Sequence, residues 1–305
     1  MALDIIGDVH GHADALEALL GTLGYRISQN VWTHPDRHLI FVGDLIDRGP
    51  RQIDTVLIAR RMVDAGRATV VMGNHEFNAI GWATESGSQP GQFLRRHSEK
   101  NLRQHQAFLA AVGENSQLHR DIIAWFRSLP LWADRGGISV VHACWHLQSQ
   151  EQLRPVLGAD NTLATRIDPE LFDKRTKLGL AAEILLKGLE IALPNNLTFV
   201  DANGHVRGEA RIRWWNPDAC TLREAAIVED DCSLDLPDIP FDIAKHGFCS
   251  IAHPIFFGHY WLRGIPTLSS PNLACLDYSV ARNGVLCAYR WDGERVLSSD
   301  KLVWV

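Results

Sequence analysis

Gly7-Asp8-Val9-His10-Gly11 closes the apolar run Ala2-Leu3-Asp4-Ile5-Ile6. A short β-rich run ending in this way reads as a buried strand that leaves its sheet through a tight turn, with a helix over 13–23 behind it. Asp8 and His10 then stand beyond the strand's carboxyl end, the edge at which open α/β sheets bind ligands. A carboxylate oxygen and an imidazole nitrogen two residues apart on one turn can reach the same cation.

The same grammar recurs. Leu39-Ile40-Phe41-Val42 runs into Gly43-Asp44-Leu45-Ile46-Asp47-Arg48-Gly49, and a helix from about 50 to 65 follows with Pro50 near its start. Ala68-Thr69-Val70-Val71-Met72 runs into Gly73-Asn74-His75-Glu76 and another helix. These strands are apolar throughout instead of alternating, which predicts burial on both faces of a mainly parallel sheet. Later, Ile138-Ser139-Val140-Val141 ends at His142, and a strand over 254–257 ends at Gly258-His259. One such turn would mean little; five in this order form a pattern.

Between these blocks the chain changes character. Residues 84–130 are polar and helical, with helices over 101–112 and 117–129, and read as a cap-like insertion. Residues 147–250 are irregular: a helix over 180–189, an alternating strand over 210–215, and an acidic loop over 224–244 with seven acids and no Lys or Arg. Strands return over 274–276, 286–290 and 302–305. Ligand-like residues come from both ends of the chain, so 1–305 reads as a single domain carrying two insertions.

Composition narrows the partners. Thirty Lys and Arg against 36 Asp and Glu give a net charge of −6, with no long basic tract, which disfavours a dedicated nucleic-acid or anionic-membrane surface. Six scattered cysteines (Cys144, Cys220, Cys232, Cys249, Cys275, Cys287) without a C-x-x-C suit reduced thiols in a cytoplasmic protein. No basic leader and no apolar run near 18 residues is present, so neither a signal peptide nor a membrane span is expected.

The five signatures together resemble the calcineurin-like metallophosphoesterases, and GDLIDRGP with GNHE resembles the phosphoprotein phosphatase branch of that family. The stretches RIRWW, FFGHYWL and CLDYSVA are similar to bacterial members. The resemblance implies an αββα sandwich, two mixed sheets flanked by helices, with a dinuclear metal site at the sheets' carboxyl edge. It implies that Asp8 and His10 hold one metal, that Asp44 bridges both, and that Asn74, His142 and His259 complete the second. Such mixed ligands suit Mn, Fe or Zn better than an all-oxygen Ca or Mg site, and the resemblance puts Mn first.

Charge points to the reaction class. Two divalent cations less two carboxylates and a bridging hydroxide leave too little positive charge for a phosphate dianion. Arg48, in the Asp44 turn, has the planar fork to supply more. Metals about 3.5–4 Å apart would sharpen the nucleophile and stabilise both oxygens of an in-line displacement. His75 is the expected general acid, and by resemblance Asp47 pairs with it, favouring the imidazolium and fixing its orientation. Arg213 lies where related enzymes present a second phosphate-contacting arginine, and Lys187 is a further candidate cation.

The remaining histidines (His12, His34, His38, His97, His105, His119, His146, His205, His246 and His253) have no ligand context and read as surface or satisfied core residues. Trp214, Trp215 and Trp261 read as core packing, and Tyr260 as either core or a narrowing of the cleft mouth. The expected function is hydrolysis of phosphate monoesters by a metal-bound hydroxide, with phosphoserine or phosphothreonine proteins among the substrates. The alternative is a nucleotide phosphoanhydride hydrolase of the diadenosine tetraphosphatase kind, with Arg211, Arg213 and Trp214 as a subsite. A non-catalytic phosphate-binding module is the third reading.

Overall fold

In the computed structural model, residues 2–305 are described apart from 88–89, 164–166, 195–196, 201–205, 217, 229–235, 247 and 249–252. His205, Cys232, Cys249 and part of the acidic 224–244 run lie outside the described residues. Strand β1 (Ala2–Ile6) pairs in parallel with β2 (Arg37–Phe41), and β2 in parallel with β3 (Ala68–Val70). The second main sheet begins with the antiparallel pair β4 (Trp132–Arg135) and β5 (Ile138–Val141). A small sheet follows: β6 (Glu190–Ala192), β7 (Glu209–Ile212) and β8 (Ala226–Ile227), with β7 in the middle. Strand β9 (Ile255–Phe257) then inserts parallel between β5 and β10 (Leu273–Cys275). The chain ends by closing the first sheet, as β11 (Asp277–Tyr278), β12 (Val285–Trp291) and β13 (Leu302–Trp304) add antiparallel strands beside β1.

The two main sheets pack face to face. Leu3, Ile5, Ile40, Val42 and Val71 from the first meet Ile138, Val140, Phe256 and Ala274 from the second in one buried cluster. The opposite faces are covered by helices: Ile6, Leu39 and Phe41 pack with Leu16, Leu19, Val56 and Met62, while Ile255, Phe257 and Cys275 share that larger cluster with Leu185 and Leu186. This is a mixed α/β sandwich, helix–sheet–sheet–helix. Strands buried on both faces lack the alternation of a half-exposed sheet, which is what their unbroken apolar runs indicated. The single acid of β1, Asp4, is fully buried and tied to Tyr25, Arg37 and Arg290. Burial raises its pKa against the pull of the two arginines.

Helices α1 (Ala13–Thr22), α2 (Gln52–Asp64) and α3 (Asn74–Ala83) follow the three strand-end turns. The 84–130 insertion contains α4 (Glu99–Val112) and α5 (Gln117–Phe126), capped at Ser98 and Ser116. Their apolar faces, including Phe108, Val112, Ile122 and Phe126, merge with the main helical core, and the two helices contact α2 and α3. Further on, the helix expected over 180–189 runs over Lys177–Lys187. The strand expected over 210–215 ends at Ile212, and Trp214 and Trp215 fold back into the core, with the Trp214 indole donating to the Ala143 carbonyl at 2.9 Å. Among the described residues no helix is long and apolar enough to cross a membrane.

Candidate metal centre

The carboxyl ends of β1, β2 and β3 in one sheet and of β5 and β9 in the other converge on a single rim. Asp8, His10, Asp44, Asn74, His142 and His259, drawn from turns up to 251 residues apart, meet there, all buried. The backbone is bent hard to bring them in: His10, Asp44, Asp47, Arg48, His259 and Trp261 all adopt left-handed φ values between 48° and 79°. Non-glycine residues avoid that region, and such strain concentrates at functional sites. Two glycines make the approach possible. A Cβ on Gly258 would lie 1.9 Å from Asp8 Oδ1, and one on Gly73 2.2 Å from Asp44 Oδ1. Any side chain at either position would displace the carboxylate.

Asp44 Oδ2 is the hub. His142 Nε2 lies 3.4 Å from it, His10 Nε2 3.6 Å and His75 Nε2 3.8 Å. Two groups of ligand atoms share this carboxylate, His10–Asp44–His75 and Asp44–His142–His259, each with its atoms within 4.8 Å of one another. The donor chemistry fits a cation. His10 Nδ1 and His142 Nδ1 face the carbonyls of Ile46 and Val42 at 3.0 Å, so these nitrogens carry the protons. Their Nε2 lone pairs then point into the site, where His142 Nε2 meets Asn74 Oδ1 at 3.1 Å. His10 Nε2 is buried without any hydrogen-bond partner. Acceptors facing acceptors in a buried space require positive charge between them.

Electrostatics gives the same answer. Burial raises the Asp8 pKa well above the carboxylate range, and the carboxylates of Asp277 and Asp44 push it further. Burial also lifts Glu76 to about 7 and Asp277 to about 6. For Asp44 burial pushes the same way, but His142, His75 and His10 outweigh it when they carry protons in place of a cation, and hold the pKa well below the usual value. Four buried carboxylates in one region are a strong demand for cations. Glu76 has a structural task as well: its two oxygens accept the amides of Asp44, Leu45 and Gly73 at 2.8–2.9 Å, which shapes the Asp44 turn around the start of α3.

Beside the hub, His75 Nδ1 lies 2.5 Å from Asp47 Oδ2, and its backbone amide donates to Asp44 Oδ1 at 2.9 Å. Burial opposes a proton on His75, yet the Asp44 and Asp47 carboxylates prevail and raise its pKa. The sequence reading missed the other support of Asp47. His105 Nδ1, from α4 of the insertion, lies 3.0 Å from Asp47 Oδ1, so Asp47 is held between two imidazoles. His105 is a buried, hydrogen-bonded core residue, and its contact with Asp47 joins the insertion to this array. A signal existed: His105, Phe108, Leu109 and Val112 form one i, i+3, i+4, i+7 stripe, all buried.

The candidate cations divide. Arg48 is exposed at the mouth, with its guanidinium 5.4 Å from the Trp261 ring centroid. Arg213 lies past the end of β7, and its Nη1 faces the Glu224 carbonyl at 3.3 Å. Arg211, still within the strand, is the arginine that reaches the site: Nη1 lies 3.1 Å from His259 Nε2 and Nη2 pairs with Glu190. Burial and the nearby Arg211 charge drive the His259 pKa well below its ordinary value. Lys187 pairs with Glu183 one turn back on its own helix at 2.5 Å. Tyr260 turns inward, 7% exposed and edge-on to Trp215 and Phe257. Trp261 does the opposite of the core reading and stays partly exposed, stacked on His10.

Comparison with known proteins yields matches of three kinds. The family model described as calcineurin-like phosphoesterase matches residues 1–224. The symmetrical bis(5'-nucleosyl)-tetraphosphatase of Vibrio cholerae is 31% identical, with 99% of each chain aligned. The asymmetrical bis(5'-nucleosyl)-tetraphosphatase of Halalkalibacterium halodurans is 47% identical over 76 residues, which are 25% of this chain and 31% of that protein. The chain thus spans about a third of that relative's length. A cold-active protein-tyrosine phosphatase of a Shewanella species superposes with a TM-score of 0.51 at 16% identity, over 99% of this chain and 77% of that one, a likeness of fold.

Proposed function

This chain belongs to the calcineurin-like phosphoesterase family, and on that basis we propose that it is a metal-dependent phosphohydrolase whose preferred substrates are dinucleoside polyphosphates. The observation that carries the hydrolytic reading is the sharing of the Asp44 carboxylate between two buried ligand groups. A pair of divalent cations in these groups would neutralise phosphoryl oxygens and lower the pKa of attacking water. Asp8, His10 and Asp44 would hold one cation, and Asp44, Asn74, His142 and His259 the other, with Mn first among the metals.

The chain's own residues do the rest. Arg48 offers two parallel N–H donors to the phosphate being cleaved. His75 gives a proton to the leaving oxygen, and Asp47, itself braced by His105, keeps the imidazole protonated and aimed. A merely phosphate-binding module would need no such proton donor. Burial of the ligand groups keeps bulk water away and strengthens each charge–charge contact.

The nucleotide reading moves ahead of phosphomonoesters because the relative aligned along its whole length bears the name of a tetraphosphatase. The GDLIDRGP and GNHE motifs support phosphomonoesters, including phosphoserine and phosphothreonine proteins, as the second reading. Parallel assays with Mn on diadenosine tetraphosphate, p-nitrophenyl phosphate and a phosphopeptide separate the two. The expected result is the highest kcat/KM for the dinucleotide. Cleavage of the phosphopeptide with none of the dinucleotide would reverse the order.

A further inference from the structure

Two turns at the mouth of the site are clamped to one carboxylate. Asp277 Oδ2 accepts the Trp261 amide at 2.7 Å, and Oδ1 accepts the Ser279 amide at 3.0 Å. The Leu262 amide donates to the Asp277 carbonyl, and Ser279 Oγ donates to the Leu262 carbonyl. Trp261 and Ser279 both sit at left-handed φ, 54° and 61°, a conformation that a loop without these bonds would leave.

What the clamp presents is an indole and a cation. Trp261 stacks on His10 with ring centroids 5.3 Å apart and planes 28° from parallel. The 3-10 turn Val280–Arg282 brings the Arg282 guanidinium 4.5 Å from the Trp261 ring centroid, and Arg48 reaches the same ring from the Asp44 turn at 5.4 Å. Each gains from the π face. The two cations also repel one another, and neither is paired with a carboxylate among the described residues, in a chain whose net charge is −6. Like charges gathered on one support beside a phosphate site form a complement to adjacent anions.

We propose that Arg282 is a substrate-binding residue that takes the phosphate next to the one being cleaved. Arg48 holds the scissile phosphate, Arg282 holds its neighbour in the chain, and Trp261 spaces the two forks. The site thereby selects phosphoanhydride chains over single phosphate esters. The inference rests on the hydrolytic reading above and narrows it.

The test compares wild type, Arg282→Ala and Arg282→Lys, each loaded with Mn, on diadenosine tetraphosphate and on p-nitrophenyl phosphate. Loss of a charge-assisted hydrogen bond to phosphate should cut the ratio of the two kcat/KM values by about tenfold or more in Arg282→Ala, mainly through KM for the dinucleotide. Arg282→Lys, which keeps the charge without the fork, should fall between. An unchanged ratio in Arg282→Ala, with the wild type still cleaving the dinucleotide, overturns this inference and leaves the hydrolytic reading intact. A wild type that cleaves only the single ester overturns this inference together with the preference for dinucleoside polyphosphates, and leaves metal-dependent hydrolysis standing.

Discussion

Asp44→Asn is expected to lose both bound metal and turnover, with kcat/KM falling by about 10³-fold or more, because the several kcal/mol of charge stabilisation supplied by the cations disappear together. The change is nearly isosteric, so the turn built around Glu76 should persist. What changes is the hub: one oxygen that three imidazole nitrogens approach within 3.4–3.8 Å becomes an uncharged amide. A carboxylate serving one ion would leave the other in place when removed. Shared service predicts that elemental analysis of the purified variant finds neither ion. A variant that retains two equivalents of metal would rule out Asp44 as the common ligand.

His75→Asn is expected to separate rate from metal content. His75 Nδ1 is engaged by Asp47, so its Nε2 is the atom left to hand over a proton. Removing a general acid typically costs about 10²–10⁴-fold in rate. The cost should be largest for alkyl phosphates, whose leaving oxygen needs the proton, and smallest for p-nitrophenyl phosphate, whose leaving group does not. Metal content should match the wild type. A uniform loss across leaving groups would assign His75 to positioning or to metal binding, the latter a role that its grouping with His10 and Asp44 also allows.

The rim of the sandwich was legible in the sequence because its residues come in short turns directly after apolar strands. Gly7-Asp8, Gly43-Asp44, Gly73-Asn74 and Gly258-His259 each set a polar side chain after a residue whose missing Cβ lets backbone, or at Gly73 and Gly258 a carboxylate, approach closely. That necessity leaves a visible mark. His105 left a fainter one, since its partner Asp47 is 58 residues away and the stripe it shares with Phe108, Leu109 and Val112 reads as ordinary core. The choice between Arg211 and Arg213 depended on where β7 ends. Strand alternation sets both on one face only while the strand continues, and it stops at Ile212. Trp261 departs from the core expectation for a related reason. An aromatic beside the buried Tyr260 looks like core, yet a left-handed φ held by Asp277 turns it outward to the mouth.

The most direct measurement is anomalous scattering from crystals of the Mn-loaded protein. Two peaks should flank Asp44, one contacted by Asp8 and His10 and the other by Asn74, His142 and His259. A single peak, or a pair remote from Asp44, would contradict the account.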